Sequence, residues 1–92
     1  MRQEYAETIA IRAIAWLAGN DELLPVFIGA TGASVEDLRV RLADSDFLGS
    51  VLDFLMMNDA WVVEFCDSTD LQYDQIMQAR QALPGGAQVN WT

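Results

Sequence analysis

The sequence predicts an all-α protein, a small orthogonal bundle of five or six short helices, from three observations. Apolar residues recur at steps of three and four along the chain, which is the spacing of one helical face. Asn, Asp, Ser and Gly residues interrupt this pattern where helices are capped or ended. The chain has 92 residues, enough for one modest core without a disulfide or a metal. We expect a single helical domain over residues 1–84 and a flexible C-terminal tail over residues 85–92.

The first two helices are predicted on either side of a polar turn. The first runs from Gln3 to Ala18, and apolar residues cover so much of its circumference that we expect it to be central in the bundle. Gly19 is expected to end it in a left-handed conformation. Asn20-Asp21 should cap a short second helix that ends near Thr31-Gly32. The inner face of the second helix should contain Leu24, Phe27 and Ile28.

The third and fourth helices follow two further caps. Ser34 and Asp37 have the spacing of a capping box, which predicts the start of the third helix. Leu38 and Leu42 should form its inner face. Asp44-Ser45 precedes the fourth helix, which carries an apolar face. That face comprises Phe47, Leu48, Val51, Leu52, Phe54 and Leu55.

The last two helices complete the predicted bundle. Asn58-Asp59 opens the fifth helix, and a sixth is expected from about Tyr73 to Leu83, where Pro84 and two glycines end it. Trp91 falls in the predicted tail, which can dock on the domain or on a partner, or remain disordered. The inner face of the fifth helix should contain Trp61, Val62, Phe65 and Cys66.

A weak internal repeat relates the two halves of the chain. When the sequence is aligned with itself so that Leu17 meets Leu55, identical residues pair at caps and at core positions. We call this match of the two halves the repeat alignment, and we hypothesise two tandem three-helix units about a pseudo-twofold axis. The alternative is that helix–cap–helix sequences give such matches by chance. The other identical pairs are Asn20 and Asn58, Asp21 and Asp59, Phe27 and Phe65, and Thr31 and Thr69.

Three segments carry a pattern of helical core and cap residues, namely Ile9–Ala18, Phe27–Arg39 and Phe47–Leu55. This pattern resembles a family of small alphaproteobacterial proteins, of about the length of this chain, that are classed as a domain of unknown function. The resemblance covers about residues 6–84. Val35 and Tyr73 depart from the family pattern, in which proline is common at the first helical position. The resemblance implies an all-helical bacterial protein and transfers no functional residue.

The charge of the chain restricts its partners. Fourteen acidic residues outnumber five arginines, and the formal net charge is −9 at pH 7. Because this charge repels phosphate and anionic lipid, we predict binding to neither nucleic acid nor membrane. One interpretation of the net charge is that it keeps the protein soluble. The alternative is that it selects a basic protein partner. Since Arg12 interrupts the only apolar run near the N-terminus and Cys66 is the single cysteine, we predict a cytoplasmic protein.

The residue types favour a protein that is not an enzyme. Histidine is absent, which removes the usual general base near neutral pH and the commonest metal ligand. Cys66 therefore has no histidine to activate it, and its acidic neighbours Glu64 and Asp67 should raise its pKa, so we interpret it as a core residue. The segment Asp44–Asp46 begins like a calcium loop, but leucines occupy two positions where such a loop needs oxygen ligands. We predict neither a cofactor nor a metal site.

The leading functional hypothesis is a non-enzymatic protein–protein interaction or self-association module. The segment from Leu55 to Val63 places six large apolar residues around one helix cap. Two adjacent helices cannot turn all of them inward, so some should be exposed or at an interface. The alternative is that a compact six-helix bundle buries them. The candidate interaction surface comprises Met56, Met57, Trp61 and Val63.

The second hypothesis is a small-ligand binder or an enzyme that uses an arginine–carboxylate pair in a cleft. Asp53 interrupts an apolar run in the fourth helix, and Arg12 is equally isolated in the first. The helical phase of Asp53 favours an exposed position beside Asp46 and Ser50, whereas a buried pair with Arg12 would form a site. A third hypothesis, acidic mimicry of nucleic acid, needs carboxylates gathered on one face, and here they are scattered among caps.

Overall fold

A computed structural model describes residues 1–84 of the chain. Within this range the chain is built from helices and turns and contains no strand. The predicted all-α bundle is therefore confirmed. The tail expected at residues 85–92, with Trp91, lies outside the described residues. The six helices of the described range are α1 Gln3–Ala18, α2 Leu23–Thr31, α3 Val35–Val40, α4 Ser45–Leu55, α5 Asp59–Thr69 and α6 Tyr73–Ala82.

Side chains at the predicted caps satisfy the backbone donors that each helix start leaves unpaired. Ser34 Oγ accepts from the Asp37 N–H at 3.1 Å, and Asp37 Oδ2 accepts from the Ser34 N–H at 2.9 Å, which is the capping box of α3. Asp44 caps α4, and Asn58 caps α5 by accepting from the Ala60 N–H at 2.9 Å. At each of these helix starts, a short polar side chain therefore accepts a hydrogen bond from a backbone N–H group.

Two local predictions are wrong. Gly19 has φ −93° and is not left-handed, because its N–H bonds to the Ala15 carbonyl and the chain continues through a right-handed turn into α2. Leu42 does not face inward, since α3 ends at Val40 and leaves Leu42 beyond the helix, 38% exposed. Periodicity alone did not reveal that α3 is only six residues long.

The core lies around α1 and α4, which pack against each other, while α6 packs against both. All six residues predicted for the inner face of α4 are buried. Phe27 of α2 joins the core through edge-to-face contacts, with ring centroids 6.3 Å from Phe47 and 5.1 Å from Phe54. The buried residues of α1 are Ala6, Ile9, Ala10, Ala13, Ile14 and Leu17.

Helix ends match between the two halves in the repeat alignment. Thr31 ends α2 and Thr69 ends α5. The next residues, Gly32 and Asp70, are both left-handed, with φ of 75° and 60°. Asp70 is the single residue other than glycine with positive φ in residues 1–84. Equivalent positions therefore share an uncommon backbone conformation as well as a sequence match.

The start of the third helix in each half is also equivalent. The Ser34 N–H donates to the Asp37 carboxylate at 2.9 Å, and the Gln72 N–H donates to the Gln75 Oε1 at 2.9 Å. The repeat alignment pairs Gln72 with Ser34 and Gln75 with Asp37. Asp37 and Gln75 therefore fill the same position of the capping box, because either side chain can accept a hydrogen bond from the backbone N–H at the start of the helix.

Aromatic contacts cross between the halves in a reciprocal way. Trp16 meets Phe65 edge to face, with ring centroids 5.7 Å apart. The equivalent pair, Phe54 and Phe27, has the same arrangement at 5.1 Å. Each half therefore contributes an aromatic ring of its first helix to the second helix of the other half, as a pseudo-twofold axis requires. These contacts support the two-unit hypothesis, and superposition of residues 8–42 on 46–80 stays a prediction.

Asp44 makes the stability of the protein depend on pH. Its Oδ2 accepts from the Arg41 guanidinium at 2.7 and 3.2 Å, and its Oδ1 accepts from the N–H groups of Asp46 and Phe47. The hydrogen bonds from Arg41 and from the Phe47 N–H lower the pKa of Asp44 from its ordinary value near 3.8. Because the folded-state pKa is the lower one, this stabilisation is complete above the ordinary value and is lost as pH falls through the folded value.

We therefore expect Asp44→Asn to be less stable than the parent protein at neutral pH and equally stable in strong acid. Asparagine is as good a cap as aspartate, so the substitution removes the charge and keeps the acceptor. Urea unfolding at neutral pH and at about pH 2 measures the difference. If the two proteins differ in stability by the same amount at both pH values, the charge of Asp44 is not the cause of the difference.

Candidate functional site

The predicted interaction surface is only partly exposed. Met57 and Val63 are 72% and 51% exposed, whereas Met56 and Trp61 are half-buried and pack against the core. Trp61 stacks on the Phe54 ring, with centroids 4.7 Å apart and an interplanar angle of 22°. The apolar segment therefore contains one anchored aromatic residue and two residues that project into solvent.

The helical geometry separates these residues. Trp61 and Val63 are two positions apart on α5, which places them about 200° apart around the helix axis. The core-facing residues Val62 and Phe65 lie between them on one side of the helix. One partner surface therefore cannot contact both Trp61 and Val63 as neighbours, and their spacing in the sequence already contained this information.

Trp61 instead faces a groove with residues of α1 and of the following turn. Two half-buried tryptophans, Trp16 and Trp61, line this groove, whose volume is about 620 Å³. Glu64 follows Trp61 by three positions on α5 and therefore lies on the same side of the helix. We call this site the tryptophan groove. Its lining comprises Ala15, Trp16, Gly19, Asn20, Asp21, Glu22, Leu23, Trp61 and Glu64.

Core contacts hold both tryptophans in place. Trp16 meets Phe65 at 5.7 Å between centroids, and Trp61 stacks on Phe54 at 4.7 Å. Phe65 and Phe54 are themselves buried. Because the supporting rings are fixed in the core, each indole can bind a ligand without losing much side-chain entropy. The groove is thus an aromatic site that is largely pre-formed.

The charges at the groove have one sign. Asp21, Glu22 and Glu64 are exposed carboxylates at its rim, and no basic residue lines it. Four of the five arginines form ion pairs with other acids within residues 1–84, and Arg12 donates to a backbone carbonyl. None of the three groove carboxylates has an ion-pair partner in that part of the chain. The groove therefore has a negative potential.

The backbone adds to this potential. The C-terminal end of α1 borders the groove, and the last turn of α1 contains no basic residue to offset the negative end of its dipole. The start of α2 also borders the groove, and the positive end of its dipole opposes this negative potential. That opposition is reduced because Asn20 Oδ1 accepts from the N–H groups of Glu22 and Leu23, both at 3.1 Å. The carboxylates, the helix end and the two indole rings together favour a cation beside an apolar group.

The proposed pair of Arg12 and Asp53 does not form. Arg12 Nη2 donates to the Thr69 carbonyl at 3.1 Å, at the end of α5. Asp53 pairs with Arg80 of α6, with its two oxygens 2.5 and 3.0 Å from Arg80 Nε and Nη2. The alternative of a buried pair is therefore not found, because α1 and α4 direct these side chains to different neighbouring helices. The expected exposure of Asp53 is correct, since its side chain is 58% exposed.

Cys66 lies at the edge of the core and is half-buried. Burial, followed by the charge of Asp67, raises the pKa of its thiol. The predicted direction is therefore right, although burial is the larger cause. This environment keeps the thiol protonated near neutral pH and lowers its reactivity.

Two further properties concern residues 1–84 alone. Within this range, no group of three or more His, Cys, Asp or Glu side chains is placed to hold a metal ion. No helix of this part of the chain is long and apolar enough to cross a membrane. The absence of a metal site or a cofactor stays a prediction.

The chain belongs to the family described as protein of unknown function (DUF3572), whose model matches residues 3–86. The match spans all six helices of the described range and confirms the resemblance to a domain of unknown function. No curated protein and no solved structure matches the chain. The family description assigns no activity.

Proposed function

We propose that this member of the family is a non-enzymatic protein-binding module whose tryptophan groove captures a basic, partly apolar segment of a partner protein. The observation that carries the proposal is the meeting of Trp16 and Trp61 in one groove whose charged lining residues are all acidic. Tryptophan faces attract guanidinium and ammonium groups, and carboxylates form charge-assisted hydrogen bonds with the same groups. The partner is therefore expected to present arginine or lysine next to an apolar residue.

The size of the groove fits a short segment. A volume of about 620 Å³ is in the range of sites that hold a few side chains. Asn20 to Leu23 form one wall as a turn and a helix start, and α5 forms another through Trp61 and Glu64. Such a site suits transient recognition of an exposed segment better than a large permanent interface.

A symmetric contact with a second copy is disfavoured at this groove. A twofold interface would place the same surface of both copies together, so Asp21, Glu22 and Glu64 would face carboxylates of the other molecule. Like charges across an interface oppose binding. Self-association through Met57 or Val63 is a separate prediction and does not involve the groove.

The test is a calorimetric titration with a short peptide rich in arginine and leucine. We expect binding that weakens as salt rises, and none for a matched peptide in which glutamate replaces every arginine. The triple variant Asp21→Asn, Glu22→Gln and Glu64→Gln should bind about tenfold more weakly, since each exposed charge contributes about 0.2–1 kcal/mol.

The control removes the same number of charges elsewhere. Its substitutions are at exposed acidic residues outside the groove, so it has the same net charge as the groove variant. We expect it to keep most of the parent affinity. Equal losses in the two variants, or no binding by the parent protein, would refute the proposal. The control substitutions are Glu4→Gln, Asp67→Asn and Asp74→Asn.

A further inference from the structure

The ends of α2 and α5 are equivalent in the two halves but have different surroundings. The Thr31 hydroxyl donates to the Phe27 carbonyl at 2.7 Å, and the Thr69 hydroxyl donates to the Phe65 carbonyl at 2.8 Å. At the end of α5, the Thr69 carbonyl also accepts from Arg12 Nη2 at 3.1 Å. A guanidinium of the first half thus caps the C-terminal end of a helix in the second half.

The equivalent interaction is missing in the other half. The repeat alignment pairs Arg12 with Ser50 of α4, and the Ser50 hydroxyl donates to the Phe47 carbonyl of its own helix at 2.7 Å. Thr31 and Ser50 both line a cavity of about 390 Å³. The cavity is thus lined by Ser50, the counterpart of Arg12 in the repeat alignment, and by Thr31, the counterpart of Thr69. We call it the α2 cavity.

The lining of the α2 cavity suits a cation. Asp46 contributes an exposed carboxylate, and Asp37 contributes one whose Oδ2 also accepts from the Ser34 N–H. The last turn of α2 contains no basic residue, so the negative end of this helix is not neutralised. Arg41 also lines the cavity, but its guanidinium is 2.7 Å from Asp44 and lies 4.6 Å from the centroid of the Phe47 ring. The charge of Arg41 is therefore already balanced by the carboxylate of Asp44.

We propose that the α2 cavity binds the guanidinium of an arginine side chain from a partner protein. This guanidinium would lie at the end of α2, as the guanidinium of Arg12 lies at the end of α5. The two carboxylates and the end of α2 line the cavity together, and a planar guanidinium with five N–H donors can bond to more than one such oxygen, whereas the ammonium of lysine acts as a compact point charge. The α2 cavity and the tryptophan groove share no lining residue, so this proposal does not depend on the groove.

The first test uses N-acetyl-arginine amide and N-acetyl-lysine amide as probes, with NMR signals of the labelled full chain as the readout. We expect the arginine probe to shift the backbone signals of residues 31–33 and 47–50, and the lysine probe to do so at least about threefold more weakly. Ser50→Arg should fill the cavity from α4 and abolish these shifts. Equal shifts with both probes, or shifts that persist in Ser50→Arg, would overturn the proposal.

Two further variants keep the test decisive if Ser50→Arg perturbs the fold. Asp46→Asn removes a carboxylate of the α2 cavity and should weaken binding of the arginine probe about twofold to fivefold. Arg12→Ser removes the guanidinium from the equivalent place at α5, where the repeat alignment puts Gln75 and Thr8 in place of Asp37 and Asp46, so it is a control that should leave the shifts at the α2 cavity unchanged. Unchanged affinity in Asp46→Asn, or a loss of these shifts in Arg12→Ser, would count against the inference.

Discussion

Phe27→Ala is expected to lower the free energy of unfolding by about 3–5 kcal/mol. Phe27 is 0% exposed and meets the rings of Phe47 and Phe54 edge to face. Its removal leaves a cavity between α2 and α4 and eliminates both aromatic contacts. A domain of this length has a total stability of roughly 5–14 kcal/mol, so the variant should lose a large part of it. Urea unfolding followed by far-UV circular dichroism measures the loss.

The control for this variant is Val26→Ala on the same helix. Val26 is exposed, so its truncation should change the stability by no more than about 0.5 kcal/mol. Phe65→Ala should match Phe27→Ala, since Phe65 is the equivalent residue and is equally buried. A loss of less than about 1 kcal/mol for Phe27→Ala would show that α2 does not close the core as described.

Trp61→Ala is expected to weaken binding of the arginine–leucine peptide roughly 30-fold, because a central tryptophan typically contributes about 2 kcal/mol or more to an interface. Trp61 is the one residue of the proposed site that both the sequence and the structure single out. It lines the groove and is anchored by its stacking on Phe54. Titration calorimetry measures the affinity, and circular dichroism shows whether the helices are retained.

Two variants separate a binding effect from a folding effect. Trp61→Phe keeps an aromatic ring on Phe54 and should retain the stability and part of the affinity. Val63→Ala, on the other side of α5, should leave the affinity unchanged, since Val63 does not line the groove. If Trp61→Ala binds as tightly as the parent protein, or if Val63→Ala is the weaker binder, the groove is not the binding site.

Much of the fold could be predicted from caps and from apolar spacing. Ser34 with Asp37, Asp44 and Asn58 each mark a helix start in the structure, because a short side chain with an acceptor satisfies the first backbone donors. The buried face of α4 also follows from its spacing. These features depend on neighbouring residues in the chain, so one sequence is sufficient to predict them.

The candidate site was less predictable because it depends on which helices meet. The phase of Asp53 on α4 is visible in the sequence, but its partner Arg80 follows only from the packing of α4 against α6. Trp16 and Trp61 meet in one groove although they lie in different halves. The repeat alignment is the one signal that relates distant positions, and it pairs Trp16 with Phe54, on which Trp61 stacks.

NMR of the isotopically labelled protein can locate the bound arginine–leucine peptide directly. Binding in the tryptophan groove should shift the indole N–H signals of Trp16 and Trp61 and the backbone signals from Asn20 to Leu23. The signals of Met57 and Val63 should stay unchanged. Shifts confined to Met57 and Val63, or an absence of shifts at the groove, would contradict the proposed function.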